Sequence, residues 1–285
     1  GGLREICEEN GVSMWLENYG HFGFPSEFLK YGGRADEIGG EFWIHRQGPE
    51  SKLASSASHI YGKNRVYAES YTSREVPFSV SPIRLKKSGD WSYTQGVNQG
   101  ILHVYIHQPY EDKFPGMNAW FGTEFNRNNT WFAQSKEWIT YQRRNYFLLQ
   151  QGKHIADVCF YIGEESPKMR GWVDKNLSTG YEYDFINAEI ITEQTKVENG
   201  RLVLKSGASY SALVLPPWNT MRPKVLKKLK ELVEQGATLI GMPPEKSPSL
   251  QNYPNCDIEV QQLVKELWGD TLPNAKDFFH HKFGK

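Results

Sequence analysis

The stretch Asn64-Arg65-Val66-Tyr67-Ala68-Glu69-Ser70-Tyr71-Thr72 reads as a short buried strand, Val66 to Glu69, that ends in a carboxylate. A charge buried in a core is costly unless paired. A glutamate placed where an apolar strand runs out therefore belongs at a rim, facing a cavity. In a β/α barrel the carboxyl ends of the strands are where chemistry is done. Glu69 is accordingly the first candidate catalytic carboxylate.

Outward from that strand, residues 1 to about 107 alternate helix and strand four times. Helices are expected at residues 2–10, at 26–31 with Ser26 as N-cap, at 51–61 and within 82–96, and strands at 12–16, 39–44, 66–69 and 101–106. Such alternation implies a parallel sheet with crossover helices. Four strand units without a Gly-rich phosphate loop make half of an eight-stranded barrel. Half a barrel leaves sheet edges open, so either the other half lies outside this chain, the favoured expectation, or the fold is an open sheet. Residues 1–150 are thus read as a partial (β/α)8 barrel, with a long aromatic loop, 108–128, as a candidate lid. A long helix over 130–152 closes this part.

Residues 151–250 read as a small α/β domain of the flavodoxin or amidotransferase type. It has strands at 155–162, 202–204, 212–215 and 238–240 and an amphipathic helix over 222–235. Residues 176–189 are mixed, and 251–285 form a tail with one helix, 258–268. No Cys or Ser sits on a strand–turn–helix element followed by Gly, so the amidotransferase nucleophile is missing and this domain reads as structural.

The 285-residue chain carries 33 acidic and 33 basic residues, a balance that argues against a polyanion-binding surface, and no apolar run approaches a membrane span. No nucleic-acid or membrane partner is therefore expected. Its three cysteines, Cys7, Cys159 and Cys256, are far apart and lack zinc-ligand spacing, which argues against a disulfide framework or a cysteine zinc site.

Three proposed strands end in a glutamate: Glu17, Glu41 and Glu69. A barrel would put these ends on one rim. Hydrolysis of a glycosidic bond needs two carboxyl groups, one to protonate the leaving oxygen and one to activate water or attack directly. Any one of the three could instead be structural, or hold a hydroxyl group or a metal. Trp15, Tyr19, Phe22, Phe24, Trp43, Tyr71, Trp120 and Phe121 lie near strand ends or in the loops after them, where rings can stack on sugars or fill a core. His21, His59, His103 and His107 are candidate hydroxyl-binding groups, the last two at a spacing that would share one strand face.

The ordered segments Phe24-Pro25-Ser26-Glu27-Phe28-Leu29-Lys30-Tyr31, Gly39-Gly40-Glu41-Phe42-Trp43, Ala54 to Lys63, Ala68-Glu69-Ser70-Tyr71-Thr72 and Gly96-Val97-Asn98-Gln99 with His103 resemble glycoside hydrolase family 106, the α-L-rhamnosidases. Leu148 to Gly152 followed by Ala156-Asp157-Val158 is similar to that family's exit from its barrel. The resemblance covers about residues 12 to 245. It implies an inverting glycosidase with a calcium ion near the sugar and a secreted or periplasmic home. It makes Glu69 the general base and gives Glu41 contact with sugar or calcium, while the general acid lies on an earlier strand. The chain departs from the pattern at Leu16-Glu17-Asn18-Tyr19-Gly20-His21, where Glu17 is an extra carboxylate and a candidate substitute acid. The rival expectations are a retaining β-galactosidase-like barrel enzyme and a sugar-binding protein that kept the fold without the chemistry.

Overall fold

The computed structural model describes residues 2–17, 26–114, 116–117, 119–165, 167–168, 170–174, 177–269 and 281–283. Tyr19, His21, Phe22 and Phe24 lie outside these. In chain order the elements are α1 (Gly2–Glu9), β1 (Trp15–Glu17), α2 (Phe28–Arg34), β2 (Glu37–Trp43), α3 (Glu50–Ile60), β3 (Val66–Thr72), α4 (Pro82–Thr94), β4 (Gln99–Leu102) and α5 (Ser135–Leu149). They are followed by β5 (Val158–Tyr161), β6 (Tyr183–Ile186), α6 (Ala188–Gln194), β7 (Thr195–Glu198), β8 (Arg201–Leu204), β9 (Ser209–Tyr210), β10 (Ala212–Val214), α7 (Pro223–Glu234), β11 (Thr238–Ile240) and α8 (Asn255–Trp268). The protein is a mixed α/β chain. It divides into two compact units, residues 1–22, 32–58 and 63–152, and residues 23–31, 59–62 and 153–285. Among the described residues no helix is long and apolar enough to cross a membrane.

The first unit is built on a four-stranded sheet in the order β1-β2-β3-β4, every pair parallel. One face is covered: Ile38, Phe42, Val66, Ala68 and Ser70 are buried at 0–2% exposure. Strand side chains alternate between faces, so the opposite face carries Trp15 and Glu17, Glu37 and Glu41, Tyr67 and Glu69, and Gln99 and Ile101. That face is open enough to leave Trp15 at 39% and Ile101 at 43% exposure.

β3 contains one residue more than its partner. Phe42 pairs with Ser70 and Trp43 with Thr72, which leaves Tyr71 unpaired in a bulge with φ 67°. Simple alternation would send Tyr71 to the same face as Glu69. The bulge reverses it. Tyr71 turns into the helix-side core, edge-on to Phe42 at 4.8 Å and to Trp138 at 5.3 Å, and its hydroxyl donates to Gln142 Oε1 at 3.0 Å. Gly89 on α4 makes room, since a Cβ there would stand 2.5 Å from that hydroxyl. Left-handed backbone costs an ordinary residue about 1–2 kcal/mol, an amount the burial of a whole tyrosine ring offsets. Tyr71 is therefore a core residue rather than a sugar-facing aromatic.

Two local expectations are also revised. The fourth strand stops at Leu102 instead of reaching Ile106, because the chain leaves the sheet at His103 and exchanges backbone hydrogen bonds with Thr123 (Thr123 N to His103 O, 2.9 Å; Val104 N to Thr123 O, 2.8 Å). The helix read from Ser26 begins at Phe28. Ser26 is occupied elsewhere, its carbonyl accepting from Lys168 N at 3.0 Å beside the Glu27–Lys168 bridge.

In the second unit β5, β6, β10 and β11 form a parallel sheet in the order β11-β10-β5-β6. Val225, Leu226, Leu229 and Leu232 give α7 its buried stripe, and Cys159 is wholly buried on β5. A three-stranded antiparallel sheet, β7-β8-β9, completes the unit. Its β7–β8 turn is Asn199-Gly200, both at positive φ (51° and 73°), the dipeptide that two-residue hairpins favour. Asn187 caps α6 by accepting from Ile190 N at 3.0 Å.

Tyr71→Phe is expected to lower stability by about 1 kcal/mol, the value of one buried hydrogen bond, as read by denaturant unfolding. An unchanged midpoint would remove the hydroxyl from the core's support. Glu27 supplies a second test. Its carboxyl is held above the usual range, chiefly by burial and against the opposing pull of the Asn187 amide. The native state thus holds this proton more tightly than the unfolded one. The stability it contributes is complete below the ordinary glutamate pKa and is lost as pH rises through the raised value. Glu27→Gln removes that loss, so its Tm advantage over wild type should grow between about pH 4 and pH 7. A difference that stays constant across that range contradicts the assignment.

Candidate active site

Glu41 and Glu69 are register partners on adjacent strands and point to the same, open face of the first sheet. Each is held by different chemistry. Glu41 is 5% exposed; its Oε2 accepts from the Trp43 indole N–H at 3.1 Å and its Oε1 from Arg46 Nη2 at 3.4 Å. Arg46 also reaches Glu50 at 3.6 Å, so a buried charge has a cationic partner, as burial requires. Glu69 is more open, at 20% side-chain exposure, with His103 Nδ1 3.7 Å from Oε1. The Thr72 hydroxyl donates to the same oxygen at 2.7 Å. That bond is a direct product of the bulge. With Tyr71 turned into the core, Thr72 lies opposite Trp43 and on the carboxylate side.

An aromatic wall stands beside the pair. Trp43 and Phe121 stack with centroids 6.0 Å apart and planes 11° apart. Phe121 also contacts His103 at 5.0 Å and Trp120 at 4.3 Å. The Arg74 guanidinium lies over both Trp43 (5.3 Å) and Trp120 (5.1 Å). The loop bearing Trp120 and Phe121 is fixed by its own backbone: Gly122 N donates to Ser73 O at 2.6 Å, and the Thr123 hydroxyl to Tyr71 O at 2.6 Å. Nearer its start, the buried Gln108 amide accepts from Met117 N at 2.8 Å and donates to Met117 O, bracing the segment between them.

The other named candidates are distributed as follows. Glu17 is exposed and level with Gly39. It shares the face of Glu41 but sits two residues, roughly 7 Å, before it. His103 and His107 do not share a strand face, because β4 ends at Leu102; His103 is turned toward Glu69 and His107 is exposed. Trp120 is 77% exposed at the outer end of the wall. His59 is not in this group: it belongs to the second unit, where its Nδ1 lies 2.9 Å from Asp184 Oδ1. His21 lies outside the described residues. Thr72, Arg46 and Arg74 were not singled out from the sequence. The available signal was position: Thr72 ends β3, and Arg46 and Arg74 lie just past strand ends.

Calcium binding by Glu41 finds little support in its neighbours. A calcium site gathers six to eight oxygen ligands, whereas the groups shown on Glu41's oxygens are an indole N–H and a guanidinium.

Two known proteins are similar to this chain. A protein of Formosa agariphila named "Putative beta-glucuronidase" is 37% identical over 273 residues, which are 95% of this chain and 23% of that protein. The structure of a rhamnosidase from Novosphingobium sp. PP1Y superposes with a TM-score of 0.83 at 30% identity, over 94% of this chain and 27% of that one. The chain thus spans about a quarter of the length of these relatives. The sequence profile of glycoside hydrolase family 106, described as alpha-L-rhamnosidase, matches residues 1–285. With that match over its whole length, the chain belongs to the alpha-L-rhamnosidase family of glycoside hydrolases.

Proposed function

We propose that this chain supplies the second half of a (β/α)8 barrel in an enzyme that removes terminal α-L-rhamnose, or a related deoxy sugar, from a glycoside or polysaccharide. The observation that carries the reading is the Glu41–Glu69 register pair set against the Trp43–Phe121 stack. It joins two carboxylates to an apolar ring surface, the two things a sugar site needs. The barrel itself is supported by a sheet whose spatial order follows chain order and by its open face, where Trp15 and Ile101 await further packing. The second unit's strand order matches the flavodoxin type and is read as structural support.

Glu69 is the general base. It is the more accessible of the pair, and the Thr72 hydroxyl orients it. Its carboxylate takes a proton from water as the water oxygen bonds to the anomeric carbon. The bond to the leaving oxygen breaks at the same centre, and that oxygen is protonated by a carboxylic acid from another strand of the barrel. Glu41, fixed by Trp43 and Arg46, holds the sugar's hydroxyl groups; Glu17, on the same face, adds a third carboxylate toward the cavity. His103 and Trp120 extend the contact surface. The polysaccharide substrate suggests a secreted or periplasmic setting.

A second substrate is favoured by one observation. Arg74 places a guanidinium over both tryptophans of the wall, where it would meet a sugar carboxylate, and one relative carries the glucuronidase name. The full-length enzyme decides between them when assayed on aryl α-L-rhamnosides and aryl β-D-glucuronides. Glu69→Gln should lower kcat by about 10²–10⁴-fold on the true substrate. Thr72→Val, which keeps the shape and removes the donor, should lower it by about 10-fold through misorientation. Full activity in Glu69→Gln refutes the base assignment. Preference for the glucuronide, lost selectively in Arg74→Ala, would establish the uronic acid.

A further inference from the structure

In the second unit, away from the paired glutamates, His59, His154 and Asp184 converge. One ligand atom from each lies within 4.8 Å of the others. His59 Nδ1 is 2.9 Å from Asp184 Oδ1, and His154 Nε2 is 3.9 Å from Asp184 Oδ2. The two imidazoles stack with centroids 4.0 Å apart and planes 11° apart. Asp184 is 1% exposed on β6, and its Oδ2 also accepts from the Tyr210 hydroxyl at 3.0 Å.

We infer that these three residues form a binding site for a divalent transition metal ion of the zinc class. Two imidazoles and one carboxylate are a ligand set that suits zinc and its neighbours. The two rings now stack nearly parallel, so one of them would turn on binding to bring both in-plane nitrogen lone pairs to a common ion. The Tyr210 bond is the outer-shell contact that orients a ligating carboxylate. Ligand atoms of a tetrahedral zinc site lie roughly 3.3–3.6 Å apart. His59 and Asp184 stand 2.9 Å apart, near that spacing, and His154, on the exposed segment before β5, would move closer on binding. The ion would stabilise the second unit by fastening the segment before β5 to β6, and a fourth position would remain for water.

The test uses the full chain, stripped with chelator and titrated with zinc and with cobalt(II) at about pH 7.5, where histidine is mostly neutral. Zinc should bind with one-to-one stoichiometry by calorimetry and raise Tm, and cobalt should give the visible bands of a nitrogen- and oxygen-ligated ion. His154→Ala should weaken zinc binding at least 10-fold and lose the zinc-induced rise in Tm, whatever small loss of metal-free Tm follows from removing its stack on His59. Asp184→Asn should abolish binding, with circular dichroism as the check on its fold. Absence of calorimetric heat, Tm shift and cobalt bands overturns the site. So does zinc binding that persists unchanged in both His154→Ala and His59→Ala.

Discussion

One extra residue in β3 governs the first unit. At Tyr71 the strand gains a residue that β2 does not have, and everything beyond it changes face. The side chain that alternation would send to the cavity goes into the core. The one that would have been buried, Thr72, meets Glu69 instead. The left-handed backbone is held by ring contacts with Phe42, Phe125 and Trp138 and by the bond to Gln142. Core packing and carboxylate orientation are therefore one constraint. Gly89 belongs to it as well, although it lies on a helix with no part in the chemistry.

The alternation of helix and strand in the first unit could be read directly, because amphipathic periods and apolar runs are local properties. That Glu41 and Glu69 share one sheet face near the carboxyl ends of their strands was legible too; that Glu17 stands two residues short of them was not. The bulge could not be read. Val-Tyr-Ala-Glu-Ser-Tyr-Thr looks like unbroken alternation, and only the packing of Tyr71 against α4 and α5 residues reveals the extra unit. Pairing across long separations was equally hidden. His59 was grouped with the sugar-facing histidines, yet its partner Asp184 lies 125 positions away. The β7–β8 hairpin was half legible: the strand at 202–204 was read and Asn199-Gly200 is a turn signal, but β7, four residues long, passed for loop.

Charge is handled differently in the two units. Around Glu41 the buried carboxylate accepts from an indole N–H and a guanidinium. Around Asp184 the surroundings are a phenol and two imidazoles, groups that can exchange a hydrogen bond for a coordinate bond without leaving the carboxylate bare. Burial sets the same requirement for compensation in both places, and the two carboxylates meet it with different groups: N–H donors at Glu41, a phenol and imidazoles at Asp184.

The Gln108 amide has a consequence for kinetics. By binding both backbone groups of Met117, and with Gly122 and Thr123 tied to β3, it fixes the aromatic loop during folding. If a sugar ring stacks on Trp43 and Phe121 as proposed, it would meet a surface whose ordering entropy has already been lost. Encounter would then need no closure of this loop, and the association rate would be set by diffusion and approach angle rather than by a conformational step.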